Sequence, residues 1–362
     1  MRRSAQPCGS VHRAKGAITA TSMRTLVSIL IPAFNEERWI GRAIESALAQ
    51  TWPHTEVIVV DDGSTDATAR VASRAGSSRV KVETRPHLGA AAARNAAFRL
   101  SQGDYIQWLD ADDLLAPDKI EQQMAAIGAR PSARTLLSGA WGSFMYSPAH
   151  ARFRPTALWC DLPPELWLLR KMESNLYMQT ATWLVTRFLT EAAGPWDERL
   201  STDDDGEYFC RVLMNSDTVR FVPHARVFYR MPDATRLSAI GLSAARMDSL
   251  FRSTQLHIAY LRSFEDSDMT RHACLMYLQR QLVNISPERR DIFEQAHQLA
   301  VDLGGRLQVP RPPWKYAVVG AVLGQRAAHR ARIALPQLRW SIARQWDMAV
   351  SHVTEWIRQP RA

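Results

Sequence analysis

Long apolar runs are missing from this chain of 362 residues. The longest candidate, Tyr316–Gly324 (YAVVGAVLG), is far shorter than the ~18 residues that cross a bilayer, so no membrane-spanning helix is expected. Cysteine is scarce. Cys8, Cys160, Cys210 and Cys274 stand too far apart to form a CxxC pair, which argues against zinc and redox motifs. Scattered thiols of this kind point to a reducing compartment, and so to the cytoplasm. The first residues are basic but lack an apolar h-region, so a secretory signal is not expected. They read instead as a disordered basic arm over 1–24, with Met23 standing beside Met1 as a possible start. Glycine is absent from IPAFNEE (Ile31–Glu37), which counts against a glycine-rich phosphate loop. There is no internal repeat and no low-complexity tract.

Charge is present but unevenly placed. Formal net charge is +9. Residues 1–24 hold five Lys/Arg and no acid, and 306–362 hold ten against Asp347 and Glu355, which leaves −4 for 25–305. A mildly acidic body argues against a nucleic-acid groove. Basic ends fit an anionic lipid surface.

The patterning switches between two periods. LVSILIP (Leu26–Pro32) is a continuous apolar run, as in a strand buried on both faces. Ile40, Ala43, Ile44, Ala47 and Leu48 then recur at helical spacing. Strands are predicted at EVIVVDDGS, VKVET and YIQWLD. Helices are predicted at STDATARVASRAG, with a capping serine or threonine and a terminal glycine, and at AAAARNAAFRLSQG. The β-α-β-α-β-α-β order predicts an α/β fold with a doubly wound, mostly parallel sheet. Beyond residue 115, TLLSGAWGSFMY and TATWLVTRFL read as strands, and helices are expected near 162–174 and 205–214. TVRFVPHARVFYRM reads as one or two strands, with Pro223 at an edge or a break. Residues 240–305 read as helical. QVPRPPW is a proline hinge. Two helical stretches split by Pro336 follow it, with Ile342, Trp346, Val350, Val353 and Ile357 along one face.

Carboxylates gather where such strands end. Asp61 and Asp62 follow the second strand, and Asp110, Asp112 and Asp113 follow the fourth. Open α/β sheets bind ligands beyond those ends. Two carboxylates ~4 Å apart repel by about 4 kcal/mol at an effective dielectric of 20. A divalent cation reverses that sign, and Mg²⁺ or Mn²⁺ favours one or two carboxylates plus substrate phosphates. The plain alternative is a solvated acidic turn before the next helix, at DDLLAPDKI.

Taken together, VSILIPAFNEERWIGRAIESALAQTW, EVIVVDDGSTDAT, RNAAF and GDYIQWLDADD resemble the donor half of family 2 glycosyltransferases, which have the GT-A fold. The likeness covers about 26–118 and continues more loosely to about 231. It implies a nucleotide-sugar half at 25–118, an acceptor-binding and catalytic half at 119–235, a helical region at 236–307 and a basic helical tail at 308–362. It also implies residue roles. Pro32, Ala33, Phe34 and Glu36 match positions that contact base and ribose. Asp62 matches the carboxylate that accepts a hydrogen bond from the base, with turn chemistry before Gly63 as the alternative. Arg94 matches a donor-binding basic residue, with a solvated helix position as the alternative. Asp110 and Asp112 match the Asp-x-Asp that touches ribose and metal, Mn²⁺ or Mg²⁺.

GPWDERLSTDDDGEYFCRVL carries the second half of the resemblance. Trp196, Asp197, Glu198 and Leu200 match the family's Trp-Asp-Glu-x-Leu, and Glu207 and Arg211 match the helix that follows. The acidic pair falls on Asp204 and Asp205, where the family commonly has Glu-Asp. That register makes Asp205 the general base, although Asp203 leaves a slip of one open. Acids are also favoured at a helix N-terminus for structural reasons alone.

The activity implied is an inverting, metal-dependent transfer of a sugar from a nucleoside diphosphate sugar to a hydroxyl acceptor. The acceptor expected is a saccharide or lipid-linked glycan of surface polysaccharide synthesis, at the cytoplasmic face of a membrane. A non-catalytic sugar-nucleotide-binding scaffold and a sugar-phosphate nucleotidyltransferase remain as rivals. His224 is a candidate third ligand, read more simply as an edge-strand histidine. His87 stands where the family often has Asn. Trp141, Trp183 and Trp196 are candidates to stack on acceptor sugar or to fill the core. The C-terminal helices fit a peripheral membrane contact, a helical cap or a homo-oligomer contact equally well.

Overall fold

The computed structural model describes residues 25–127, 132–231, 243–308, 314–324, 327–328, 331 and 345–350. The expected basic arm at 1–24 and most of the 308–362 tail, Pro336 included, lie outside them.

All seven residues of β1 (Val27–Ala33) are buried, because the strand is covered on both faces. It pairs in parallel with β2 (Thr55–Asp61) on one side and β4 (Tyr105–Trp108) on the other, and β2 pairs in parallel with β3 (Val80–Thr84). A short antiparallel strand, β8 (Val185–Thr186), closes the edge, giving the order β3-β2-β1-β4-β8. Side chains alternate between two cores. Val27, Ile29 and Ile31 meet Ile40, Ala43, Ile44 and Ala47 of α1 (Ile40–Leu48). Leu30, Ile58, Val60, Ile106 and Trp108 pack on the other face with α3 (Ala90–Leu100). Each fully buried aliphatic side chain contributes roughly 1.5–3 kcal/mol. α2 (Thr68–Ser73) links β2 to β3. Chain order and strand order reverse between β1 and β4, so the crevice of a doubly wound sheet falls there.

The second sheet is smaller and mixed. It runs β5 (Leu114–Leu115), β9 (Thr218–Arg230), β6 (Thr135–Phe144), β7 (Arg152–Phe153). α4 (Lys119–Ala126) follows β5. Pro223 does not break the strand, since β9 runs through it. β9 is a central strand, and its register against β6 jumps between Gly139 and Ala140, from Val222 to Arg226. Proline therefore sits in a bulge, where no ladder bond is asked of it. Gly139 is required opposite, since a Cβ there would strike the Ala225 carbonyl oxygen.

TATWLVTRFL is not one strand. It forms a 3₁₀ turn at Thr180–Thr182, then β8, then α6 (Arg187–Ala193). Side chains take its backbone acceptors instead of a neighbouring strand. Gln107 Nε2 donates to Ala181 O at 2.8 Å, and Gln123 Nε2 to Thr182 O at 2.9 Å. Thr186 Oγ1 then accepts the Leu189 amide at 3.1 Å and caps α6. α5 (Pro164–Ser174), α7 (Asp204–Met214), α8 (Ala244–Phe264), α9 (Asp268–Leu282) and α10 (Arg290–Asp302) extend the core that faces α3. α11 (Trp314–Leu323) comes after the prolines of QVPRPPW, which lie outside the described residues.

Candidate active site

The loops at the carboxyl ends of β1 and β2 lock together. Asn35 takes a left-handed backbone, φ 53°, and its Oδ1 accepts the Thr65 amide at 2.8 Å. The Glu36 amide donates to Thr68 Oγ1 at 2.7 Å, and the Glu37 amide donates to Asp66 Oδ2 at 3.1 Å. Pro32 and Ala33 are buried within β1. Phe34 projects from its end, exposed, and stacks on His87 at 4.0 Å between centroids and 22° between planes. Asp62 is buried. Its carboxylate accepts the Leu88 amide at 3.1 Å and the Gly89 amide at 2.7 Å, and lies 2.8 Å from His87 Nδ1. Asp62 thus fixes the loop that starts α3. Gly63 must be small, because φ is +72° and a Cβ would meet the His87 backbone nitrogen at 2.8 Å.

Arg94 joins the two halves. It lies on α3, 7% exposed, with its guanidinium 4.4 Å from the Trp196 ring centroid. One amino group donates to Asp110 Oδ1 at 2.9 Å and the other to Asp204 Oδ2 at 2.7 Å. The beginning of the Asp-x-Asp and the first acid of α7 therefore share one cation. Burial pulls the Arg94 guanidinium down, but Asp204, Asp110 and Asp205 hold it above its ordinary value. Burial likewise pushes Asp204 up to about 6, against Arg94 and with repulsion from Asp205 and Asp110. Asp205 is raised by burial and by its acidic neighbours, chiefly Asp203. Its Oδ2 accepts from Thr180 Oγ1 at 3.1 Å and its Oδ1 from the Gly206 amide at 2.8 Å.

The run of three aspartates at 203–205 is resolved by its backbone. Asp203 precedes α7 in a left-handed conformation, φ 58°, and its carboxylate takes the Ser253 hydroxyl. It is held from below. Asp204 and Asp205 occupy the first helical turn, where the helix dipole favours negative charge. Gly206 leaves room for the fold-back, since a Cβ there would collide with the Asp203 carboxylate.

The three aspartates after β4 also separate. Asp110 and Asp112 are half-buried at the rim, whereas Asp113 points inward and is fully buried. Asp113 accepts from Gln179 Nε2 and from the Arg230 amide at 2.7 Å, and burial raises it well above the usual range. Arg230 Nε donates to Asp112 O at 2.9 Å while its guanidinium lies 3.7 Å from the Trp39 ring centroid. Among the described residues no group of three or more His, Cys, Asp or Glu could hold a metal ion. Asp110 and Asp112 can offer carboxylate oxygens only. That hard donor set fits Mg²⁺ or Mn²⁺ where a diphosphate supplies the remaining ligands. His224 lies exposed in the β9 bulge, six residues before Arg230 and on the order of 20 Å along the strand, and so takes no part in that rim.

A cavity of about 390 Å³ opens below Asp204 and Asp205, lined also by Lys171, Tyr177, Phe209 and Gln281. Of the three tryptophans, Trp183 and Trp196 are core residues. Trp183 packs on Phe209, and Trp196 lies between the Arg94 guanidinium and the stacked Tyr208 ring. Trp141 is half-buried, 5.1 Å from the exposed ring of Tyr177. Arg230, Tyr177, Thr180 and Lys171 were invisible to sequence reasoning. Each follows an ordinary local pattern and acquires a role only through partners far away in the chain. Asn95 is different. It follows Arg94 and clasps Trp196, donating to its carbonyl at 3.0 Å and accepting its amide at 2.8 Å, so the Arg-Asn pair was a signal available for both.

Residues 28–155 match the sequence profile of Glycosyl transferase family 2. Over 114 residues the chain is 43% identical to chondroitin synthase of Escherichia coli, covering 30% of this chain and 17% of that protein. Over 215 residues it is 28% identical to an uncharacterized glycosyltransferase of Rickettsia typhi, covering 58% and 65%. The chain thus spans less than two thirds of the length of these relatives. Among solved structures, S. aureus TarS residues 1–349 in complex with UDP-GlcNAc is similar with a TM-score of 0.56 at 18% identity, covering 77% of this chain and 89% of that one. That likeness concerns the fold, a GT-A-type α/β sheet with helices added at the C-terminal side. Over residues 28–155 the chain is similar to glycosyltransferase family 2.

Proposed function

We propose that the protein is an inverting, metal-dependent glycosyltransferase that moves a sugar from a nucleoside diphosphate sugar to an acceptor hydroxyl, with Asp205 as general base. The observation that carries this reading is the Arg94 bridge, which draws Asp110 and Asp204 to one rim beside Asp205. TarS, which shares the fold, was solved with UDP-GlcNAc, and that supports a nucleotide-sugar donor here.

Roles divide along the rim. Phe34 and His87 offer an exposed stacked face at the β1 end for the base, with Pro32, Ala33 and Glu36 shaping the same loop. Asp62 holds the loop that forms its far side. Asp110 and Asp112 would hold Mn²⁺ or Mg²⁺ against the diphosphate, and the ion would neutralise the leaving group. Arg94 fixes Asp204, which leaves Asp205 to accept the acceptor proton at the cavity mouth. A carboxyl raised above its usual range is the better base near neutral pH.

The acceptor is a saccharide or lipid-linked glycan. Val318, Val322 and Leu323 of α11 and Trp346 are exposed, within a strongly basic tail, and this supports a peripheral contact with an anionic membrane face, placed on the cytoplasmic side. No helix among the described residues is long and apolar enough to cross a membrane.

The test is release of nucleoside diphosphate from a panel of sugar nucleotides with Mn²⁺ or Mg²⁺. Release should vanish with chelator and in Asp112→Ala. Undiminished release by Asp112→Ala would end the metal assignment, and no release from any donor would end the enzymatic one.

A further inference from the structure

The cavity below Asp205 contains a cation that the donor chemistry leaves unused. Lys171 lies on α5, 7% exposed, and lines that space together with Gln281 of α9. Among the described residues its ammonium has no carboxylate within 4.0 Å and no hydrogen-bond acceptor, and its near neighbour is the Tyr277 ring, 5.1 Å from Nζ to centroid. Burying a cation without a paired anion is costly, so such sites are rare unless a ligand completes them.

No nearby acid pairs with it directly, although Asp203 feels its charge. Asp204 is taken by Arg94. Asp203 takes the Ser253 hydroxyl and faces His257 Nδ1 at 3.8 Å, and burial keeps it raised in spite of Lys171. Asp205 lines the cavity and accepts the Thr180 hydroxyl. The walls are aromatic, from Trp167, Tyr177, Trp183 and Tyr229, with Tyr177 exposed at the entrance. Flat apolar faces with a few convergent polar groups suit a sugar ring. A volume of about 390 Å³ falls within the ordinary range for a small-molecule site and leaves room for one sugar residue.

We propose that the acceptor carries an anionic substituent, a sugar carboxylate or a phosphate, which seats against Lys171 while the neighbouring hydroxyl meets Asp205. This names the acceptor class for the transfer proposed above and rests on that reading. The buried cation and the base line one cavity and together orient the acceptor. A neutral sugar would leave the ammonium unpaired.

The test measures binding of glucuronate, glucose 6-phosphate and glucose to the full chain by saturation-transfer NMR and calorimetry, with and without UDP and Mn²⁺. The expected result is at least tenfold tighter binding of one anion than of glucose, and the carboxylate and phosphate arms identify which. In Lys171→Gln that preference should fall to about unity, while Lys171→Arg retains part of it. Equal binding of all three sugars by the wild type, no binding of either anion, or a preference that survives in Lys171→Gln would each overturn the proposal. The wild-type comparison decides the matter even if the glutamine variant fails to fold. Donor hydrolysis, measured separately, reports on the enzymatic reading. An active enzyme without anion preference sinks only the acceptor class, and anion binding without donor hydrolysis sinks only the transfer.

Discussion

Replacing Arg94 with methionine tests the link between the two halves of the site. Methionine keeps an apolar stem against Trp196 and removes the guanidinium. Asp110 and Asp204, at 2.9 and 2.7 Å in the wild type, then lose their shared cation, and Asp205 loses a nearby positive charge. Removing one partner of a buried charge pair costs about 3–5 kcal/mol. At roughly 2 °C per kcal/mol for a chain of this size, Tm at pH 8 should fall by about 6–10 °C.

The sign of the pH dependence follows from Asp204. Its folded pKa is about 6 against an ordinary 3.8, so the folded chain binds the proton more tightly than the unfolded one. The associated stability is fully present below 3.8 and is lost as pH rises through about 6. Near pH 5 Asp204 is already largely protonated, and Arg94 has less charge to compensate. The penalty of Arg94→Met should therefore be large at pH 8 and shrink markedly at pH 5. Scanning calorimetry of both proteins across that range is the assay. A penalty under about 1 kcal/mol at pH 8, or one of equal size at pH 5, would refute the bridge as an electrostatic device.

Three further outcomes are expected. Asp205→Asn should lower kcat by about 10²–10⁴-fold while leaving neutral-pH Tm unchanged or higher, since a half-buried carboxyl crowded by Asp203 and Asp110 is replaced by a neutral amide; unaltered turnover in steady-state assays would move the base elsewhere. Gly206→Ala should cost about 1–3 kcal/mol in urea unfolding, because its methyl group meets the Asp203 carboxylate, and a neutral result would contradict the fold-back. Lys119 is 0% exposed, and burial holds its amine well below its ordinary 10.5. The unfolded chain therefore binds the proton that the folded chain gives up, and stability rises with pH up to about that value. Lys119→Met should flatten the rise between pH 7 and 10, and an identical slope in both proteins would contradict the assignment.

The first sheet was legible because its physics is local. Parallel strands covered on both faces must be continuous apolar runs, and the polar residues that end them lie at the ligand-binding edge. LVSILIP, EVIVVDD and YIQWLD obeyed that rule, and β1, β2 and β4 lie where they indicated. TATWLVTRFL has strand-like composition, yet Gln107 and Gln123 claim its carbonyls, and no window of sequence around 180 contains those partners. The aspartates show the same limit. Asp110, Asp112 and Asp113 look alike in a row, but Arg230, more than a hundred residues on, takes Asp113 inward with its amide. At 203–205 the register rests on Arg94, which selects Asp204 from 110 positions away. Side-chain chemistry could be read from the sequence, but not the distant partner that decides which carboxyl faces the rim.

That division between inward and rim acids bears on the metal. Asp113 and Asp203 have partners within the fold in Arg230, Gln179 and Ser253. Asp110, Asp204 and Asp205 share Arg94 as their principal compensating cation, so the rim carries more negative than positive charge. A nucleoside diphosphate is itself an anion. Bringing it to within contact of such a rim adds repulsion of several kcal/mol at the separations involved, unless positive charge arrives with it. Arginine cannot supply that charge twice, since both its amino groups are committed. On the proposed reading, a divalent ion held by Asp110 and Asp112 beside the diphosphate would remove that conflict, which would make the cation a condition for donor binding as well as an aid to departure of the leaving group.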